Sequence, residues 1–264
     1  MGNYCQHWGN IMLSRSELGR IAEMKHLTIR NAEKDYLLEF LLYSLSDDRR
    51  SLIFKGGTAL YKFYNLNRFS EDLDFDVIGK RFDADKMIKK IIRNLELSGM
   101  QRPLPEKIEY SNETNIRFAI RGPLYDGSKN SMSRVTLNIS KRERPISPLE
   151  KLLVTTYPEI PSFELSVLDV EEIAAEKIRC IITREKPRDI YDLWFLSKKG
   201  ITIDVSLVNK KLKIYKLTFN QKKFIEKVNE KQKMWKRDLQ DLIIGTLPKF
   251  DEIVTELVDW SKTW

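Results

Sequence analysis

Cysteine and histidine are scarce in this chain. Cys5 and Cys180 are the only cysteines in 264 residues, too few and too far apart to argue for a disulfide framework. With His7 and His26 as the only histidines, the sequence argues against a histidine-based zinc cluster and leaves little scope for Ser-His-Asp catalysis. No run of about 18 apolar residues exists. Met1 to Met12 mixes Asn, His, Gln and Trp and lacks the apolar core of a secretion signal, so the cytoplasm is the expected compartment and no membrane partner is expected. Repeats and low-complexity segments are also missing. A hydrophobic content of 42% suffices for a true core, and the length suits one large or two modest domains.

The net charge of +8 is unevenly spread. Residues 209–237 hold eleven Lys and Arg against Glu226 and Glu230 alone, so the remainder of the chain is close to neutral. Such a block is an electrostatic footprint for a polyanion such as RNA, and it is also the composition of a lysine-rich solvated helix face.

The chemistry concentrates between Phe54 and Val77, FKGGTALYKFYNLNRFSEDLDFDV. Leu52, Ile53 and Phe54 read as the end of a buried strand. Gly56 and Gly57 then allow a sharp turn and close approach of a phosphate. Thr58 to Tyr64 reads as a short helix with Leu60, Phe63 and Tyr64 on one face, its N-terminal dipole directed at the turn. From Asp72 the period becomes two, placing Asp72, Asp74 and Asp76 on one strand face and Leu73, Phe75 and Val77 on the other. Neighbouring carboxylates repel unless a cation lies between them. An all-oxygen site that also receives phosphate favours magnesium or manganese.

A Gly-Gly turn, a short helix and a strand bearing Asp-x-Asp, in that order, resemble the polymerase-beta-type nucleotidyltransferase fold. More narrowly, KGGTAL followed by RFSEDLDF resembles the AbiEii/AbiGii toxin family of nucleotidyltransferases. Farther along, AAEKIRCIITREKPRDIYDLWFL is similar to that family's later motifs, a Lys in an Ala-Glu-Lys context and an Arg-Asp-x-x-Asp segment. The resemblance covers roughly residues 30 to 200. It implies an α+β fold: a mixed sheet with flanking helices over residues 1–160, followed by a mainly helical domain over 161–264. It implies transfer of a nucleoside monophosphate from a nucleoside triphosphate to an RNA end, tRNA foremost, or to a protein side chain, with a cognate antitoxin restraining the activity. Asp72 and Asp74 would hold Mg2+ or Mn2+, and Lys177 and Asp189 would complete the catalytic set. Lys55, Gly56, Gly57, Thr58, Arg68, Ser70, Arg188 and Asp192 would bind or support the nucleotide. The family's third carboxylate aligns with Asn138, which adds no charge. Two alternatives stay open: a catalytically degenerate module that binds nucleotide or RNA, and a kinase-like toxin that phosphorylates a partner.

The remaining patterns supply scaffold. Ser16 to Leu45 reads as two helices broken near His26 to Asn31, with Asn31 as the cap of the second. Asp83 caps a helix that Gly99 stops. Ile116, Phe118 and Ile120, then Val135, Leu137 and Ile139, alternate on either side of an Asp126-Gly127 turn and predict a strand pair. Prolines at 145, 148, 158 and 161 mark a boundary, beyond which helical patterning dominates. Asp169 and Glu172 form a variant capping box for a helix through about Arg184. Lys177 lies within its apolar arc, either snorkelling out or directed at a triphosphate. Pro187 opens the next helix, where Asp189 shares a face with Leu193 and Leu196 and needs a partner.

Overall fold

The computed structural model describes residues 12–79, 82–100 and 103–264. Cys5, His7 and nearly all of the stretch tested for a secretion signal lie outside the described residues. Among the described residues, no helix is long and apolar enough to cross a membrane.

Two helices begin the described chain, α1 (Arg15–Met24) and α2 (Ile29–Leu45). Ser14 and Glu17 close a reciprocal capping box on α1. The cap of α2 is Thr28, not Asn31 as expected: the Thr28 hydroxyl accepts from the Asn31 N–H at 3.1 Å, so Asn31 is the third helical residue. Either side chain can cap, and only the backbone path decides between them.

A seven-stranded mixed sheet follows. Its strands are β1 (Leu52–Lys55), β2 (Asp72–Val77), β3 (Leu104–Glu109), β4 (Glu113–Ile120), β5 (Ser133–Ser140), β6 (Pro148–Leu153) and β7 (Phe163–Leu168), in the spatial order β3-β4-β5-β2-β1-β7-β6. β4 and β5 pair antiparallel, as the alternation predicts, whereas β2 runs parallel to β5 and β1 parallel to β7. Between β1 and β2 comes α3 (Gly56–Phe63), and α4 (Ala84–Leu97) follows β2 with Asp83 as its cap. α2 packs on β5 and against α4.

Three strands escaped the sequence patterns. β6 and β7 occupy the proline-punctuated stretch and the segment just after it. β7 is buried at Leu165, Ser166, Val167 and Leu168 in succession, and a strand covered on both faces shows no alternation. β3, an exposed edge strand reading LPEKIE, offers almost no apolar signal.

The C-terminal helices are α5 (Val170–Thr183), α6 (Pro187–Lys198), α7 (Val205–Lys213), α8 (Gln221–Asn229), the five-residue α9 (Trp235–Leu239) and α10 (Phe250–Ser261). α5 is the hub, with α6, α7 and α8 packed on it. The apolar faces of these helices turn inward, with Val208, Leu212, Phe224, Val228, Trp235, Leu239, Ile253 and Leu257 all buried.

Compactness divides the chain into two units, each assembled from separate stretches. The first draws on Met1–Phe54, Glu71–Arg144 and Glu150–Val167, and contains most of the sheet with α1, α2 and α4. The second draws on Lys55–Ser70, Pro145–Leu149 and Leu168–Trp264. The glycine turn and α3 therefore belong with the C-terminal helices, and the acidic strand β2 belongs with the sheet.

Candidate active site

The glycine turn starts where β1 ends. Lys55 is extended (φ −149°, ψ −170°) and is the cap residue of α3, to which its side chain gives no capping hydrogen bond. Gly56 follows at φ +79°, the left-handed region in which a side chain would be strained. Gly57 is needed for a different reason. A Cβ there would lie 2.6 Å from Arg68 Nη2, 2.9 Å from Ser70 Oγ and 3.6 Å from Asp192 Oδ2. The absent side chain is what lets these three groups close on the turn.

Arg68 is held from all sides. Its Nε and Nη2 donate to Asp192 at 2.9 and 3.0 Å, and Nη1 donates to the Phe69 carbonyl at 2.9 Å. This bidentate pair is almost wholly buried, with side-chain exposures of 1% and 0%. Lys177 extends the network, its ammonium 2.6 Å from Asp192 and 3.0 Å from Asp189. Arg184 closes the far end, donating to both oxygens of Asp189 at 2.7 and 2.8 Å. The result is an alternating chain, Arg184, Asp189, Lys177, Asp192, Arg68, that ends against Gly57.

Alternation is what makes burial tolerable. Burial alone would raise the pKa of Asp189 and Asp192, but Lys177 with Arg184, and Arg68 with Lys177, hold both carboxyls below the ordinary range. Burial likewise disfavours the Lys177 ammonium, and Asp192 and Asp189 outweigh it and raise its pKa. Lys177 therefore does not snorkel. Removing Asp192 would strip the buried Arg68 guanidinium of its carboxylate and leave an uncompensated buried charge, at a cost of about 3–5 kcal/mol.

The acidic strand is organised separately within the sheet unit. Asp72, Asp74 and Asp76 lie opposite Thr136, Asn138 and Ser140 of the parallel strand β5. Asn138 stands directly across from Asp74, and its amide donates to Asp74 Oδ1 at 2.9 Å. Asn138 therefore orients a carboxylate where a third acid was expected. Asp72 and Asp74 are half-buried, whereas Asp76 is fully buried.

Other expected site residues fare unevenly. Ser70 is buried against Gly57, Thr58 is fully buried, and Lys55 pairs with Glu176 at 3.1 Å. Arg188 is half-buried and, among the described residues, makes no salt bridge. The cap of α5 is half as expected. Asp169 accepts from the Glu171 N–H, but Glu172 turns away to accept from Ile146 and Ser147.

A family model described as the nucleotidyltransferase AbiEii toxin of type IV toxin–antitoxin systems matches residues 39–256. The chain belongs to the AbiEii family. It is thus a toxin-family nucleotidyltransferase. No curated protein matches the chain. Among solved structures, MenT4, a nucleotidyltransferase toxin from Mycobacterium tuberculosis, is similar at 22% identity, with 94% of this chain and 88% of that chain covered and a TM-score of 0.63. JHP933 from Helicobacter pylori is similar at 20% identity over 90% of this chain and 92% of that one, with a TM-score of 0.62. These likenesses bear on the fold.

The donor set of the AbiEii strand suits a hard divalent ion. Among the described residues, no group of three or more His, Cys, Asp or Glu side chains is placed to hold a metal. Magnesium does not require one: it takes one or two carboxylates, keeps several waters and completes its shell with substrate phosphate. Asp72 and Asp74, half-exposed on one strand face with Asp74 oriented by Asn138, fit that description.

The sequence patterns missed Arg184, Glu176 and Lys211. Arg184 lies beyond the last turn of α5, where only the chain reversal at Pro187 returns it to Asp189. Glu176 was legible in principle, since Glu172 and Glu176 are four residues apart and both border the apolar arc of α5.

Proposed function

We propose that this AbiEii toxin transfers a nucleoside monophosphate from a nucleoside triphosphate to the end of an RNA, tRNA foremost, in a magnesium-dependent reaction. The observation that carries the reading is the built glycine turn: Gly57 lies bare against Arg68, Ser70 and Asp192, with a buried ion network behind it. A glycine that lets a guanidinium and a hydroxyl close on a helix N-terminus gathers donors that suit a phosphate, which a generic reversal does not need.

In this reading the triphosphate lies along Gly56 and Gly57, over the N-terminal N–H groups of α3, and the Ser70 hydroxyl hydrogen-bonds a phosphate oxygen. Asp72 and Asp74 would hold the magnesium ion, which supplies charge neutralisation at the phosphoryl group under attack. The acceptor hydroxyl forms a bond to the α-phosphorus as the bond to the bridging oxygen breaks, and pyrophosphate leaves. Catalysis of this kind is chiefly positioning and electrostatics. Lys177 and Asp189, the family's carried-over pair, act here as positioning residues. Lys177 fixes Asp192, Asp192 fixes Arg68, and Arg68 shapes the turn.

The basic block supports a polyanionic acceptor. Of its cations, Lys211 and Lys231 are buried and Lys227 is half-buried, whereas Lys210, Lys213, Lys216, Lys222, Lys223, Lys233, Lys236 and Arg237 are exposed. Lys231 donates to the Ile181 and Lys227 carbonyls and so serves the ends of α5 and α8. A cognate antitoxin is the partner implied by the family.

The test is direct. Wild-type protein is incubated with each labelled nucleoside triphosphate, magnesium and total RNA, and the transferred group is identified by mass. Label on RNA that disappears in Asp72→Ala and Asp74→Ala is the expected result. Equal labelling by those variants would remove the metal assignment, and transfer of a terminal phosphate to protein would replace this reaction with a kinase reaction.

A further inference from the structure

A second buried network reaches the turn through Lys55. α5 carries Glu176 immediately before Lys177, and the two consecutive side chains diverge. Lys177 serves the Arg68 network, while Glu176 accepts from Lys55 at 3.1 Å and from Lys211 of α7 at 3.2 Å. Lys211 is also 2.7 Å from Glu172, whose carboxylate accepts from the Ile146 and Ser147 N–H groups at 2.9 and 3.0 Å. Lys55, Lys211, Glu172 and Glu176 are all buried, with exposures of 8, 3, 1 and 6%.

We propose that Glu176 and Lys211 are positioning residues for nucleotide binding: together they fix Lys55, and with it the backbone entering the glycine turn. The inference rests on the reading that the triphosphate lies at Gly56 and Gly57. Lys55 is the cap residue of α3 and the last residue before the left-handed Gly56, so its placement sets where the first N–H groups of α3 point. A lysine stem has four rotatable bonds and holds no fixed place unless its ammonium is anchored. Glu176 is that anchor. It must stay ionised in an apolar setting; burial would raise its pKa, and Lys55, Lys211 and Arg179 overcome this and hold it at about 2. Lys211 thus sits in the basic block by sequence but works inside the protein. α5 grips the turn twice, at Gly57 through Arg68 and at Gly56 through Lys55.

The test measures magnesium–nucleotide affinity by calorimetry on folded protein, with melting curves as the control for folding. Glu176→Gln and Lys211→Met are expected to weaken nucleotide binding about tenfold, since small displacements of a phosphate cradle have effects of this order. RNA affinity and its salt dependence should stay unchanged, in contrast to Lys213→Ala in the exposed part of the block. Lys55→Met should weaken nucleotide binding equally, and Lys55→Met with Glu176→Gln should be no weaker than either alone. Lys55→Met leaves Glu176 paired with Lys211, so it decides the matter if Glu176→Gln fails to fold. Full nucleotide affinity in folded Lys55→Met, or a Lys211→Met defect confined to RNA binding, overturns the proposal. Gly57→Ala separates the two readings. If it binds nucleotide as wild type does, the site at the turn is wrong. If it binds weakly while Lys55→Met binds normally, only the positioning role falls.

Discussion

Gly57→Ala is the sharpest probe of the turn. By propensity alone the change should stabilise α3, since Ala exceeds Gly in a helix by about 0.5–1 kcal/mol. The neighbours reverse this. The new methyl would lie 2.6 Å from Arg68 Nη2 and 2.9 Å from Ser70 Oγ, so Arg68 would have to retreat by about 0.8 Å to reach ordinary contact at 3.4 Å. It has nowhere easy to go, because Nε and Nη2 are bound to Asp192 and Nη1 to the Phe69 carbonyl. Loss of one charge-assisted hydrogen bond costs about 1.5–3 kcal/mol. Less the helix gain, the net destabilisation is about 1–2 kcal/mol, and displacement of the cradle should lower transfer roughly a hundredfold. Urea denaturation and the labelled-nucleotide assay read the two effects. Gly19→Ala in α1 is the control: nothing lies within 4 Å of its Cβ, so it should stabilise by about 0.5–1 kcal/mol with activity intact. If Gly57→Ala behaves like Gly19→Ala, the turn is not held by Arg68 and the argument for a built phosphate site collapses.

Other predictions follow from the same contacts. Asn138→Asp would set a carboxylate directly opposite Asp74, so the variant should melt lower than wild type in chelator and regain the difference in millimolar magnesium; no magnesium dependence would count against a metal at this strand. The buried network makes stability depend on pH at both extremes. Asp189 and Asp192, with lowered values, contribute fully above the unfolded value of about 3.9 and lose their contribution as pH falls through their folded values. Lys177, raised, contributes fully below about 10.4 and loses its share as pH rises through its folded value. The network's own contribution to melting temperature should be constant from about pH 5 to 9, and Lys177→Met should shift the acid limb; superimposable acid limbs would contradict the coupling. Replacing Lys213, Lys216, Lys222 and Lys223 by Ala should weaken RNA binding and lower its salt slope by up to about 4, measured by titration at several ionic strengths.

Much of this protein was legible without coordinates wherever chemistry and period coincide locally. The glycine pair, the alternating acids of β2 and the Pro187 helix start are short-range patterns, and backbone geometry obliges each to mean what it says. Asp189 illustrates the limit. Its position beside Leu193 and Leu196 implied burial and a partner, yet that the partners are Lys177 and Arg184 depends on how α5 and α6 pack. β7 was invisible for the opposite reason, since a strand buried on both faces has no period to read. The basic block marks the same division. Composition revealed eleven cations, but burial separates Lys211 and Lys231 from the rest and turns one of them toward Glu176. The sequence alone determined the family, the glycine turn and the alternating acids of β2, because those are set by covalent neighbours. The tertiary structure alone decided which charges are internal and what they brace, because a buried ion is defined by the partners that packing brings to it.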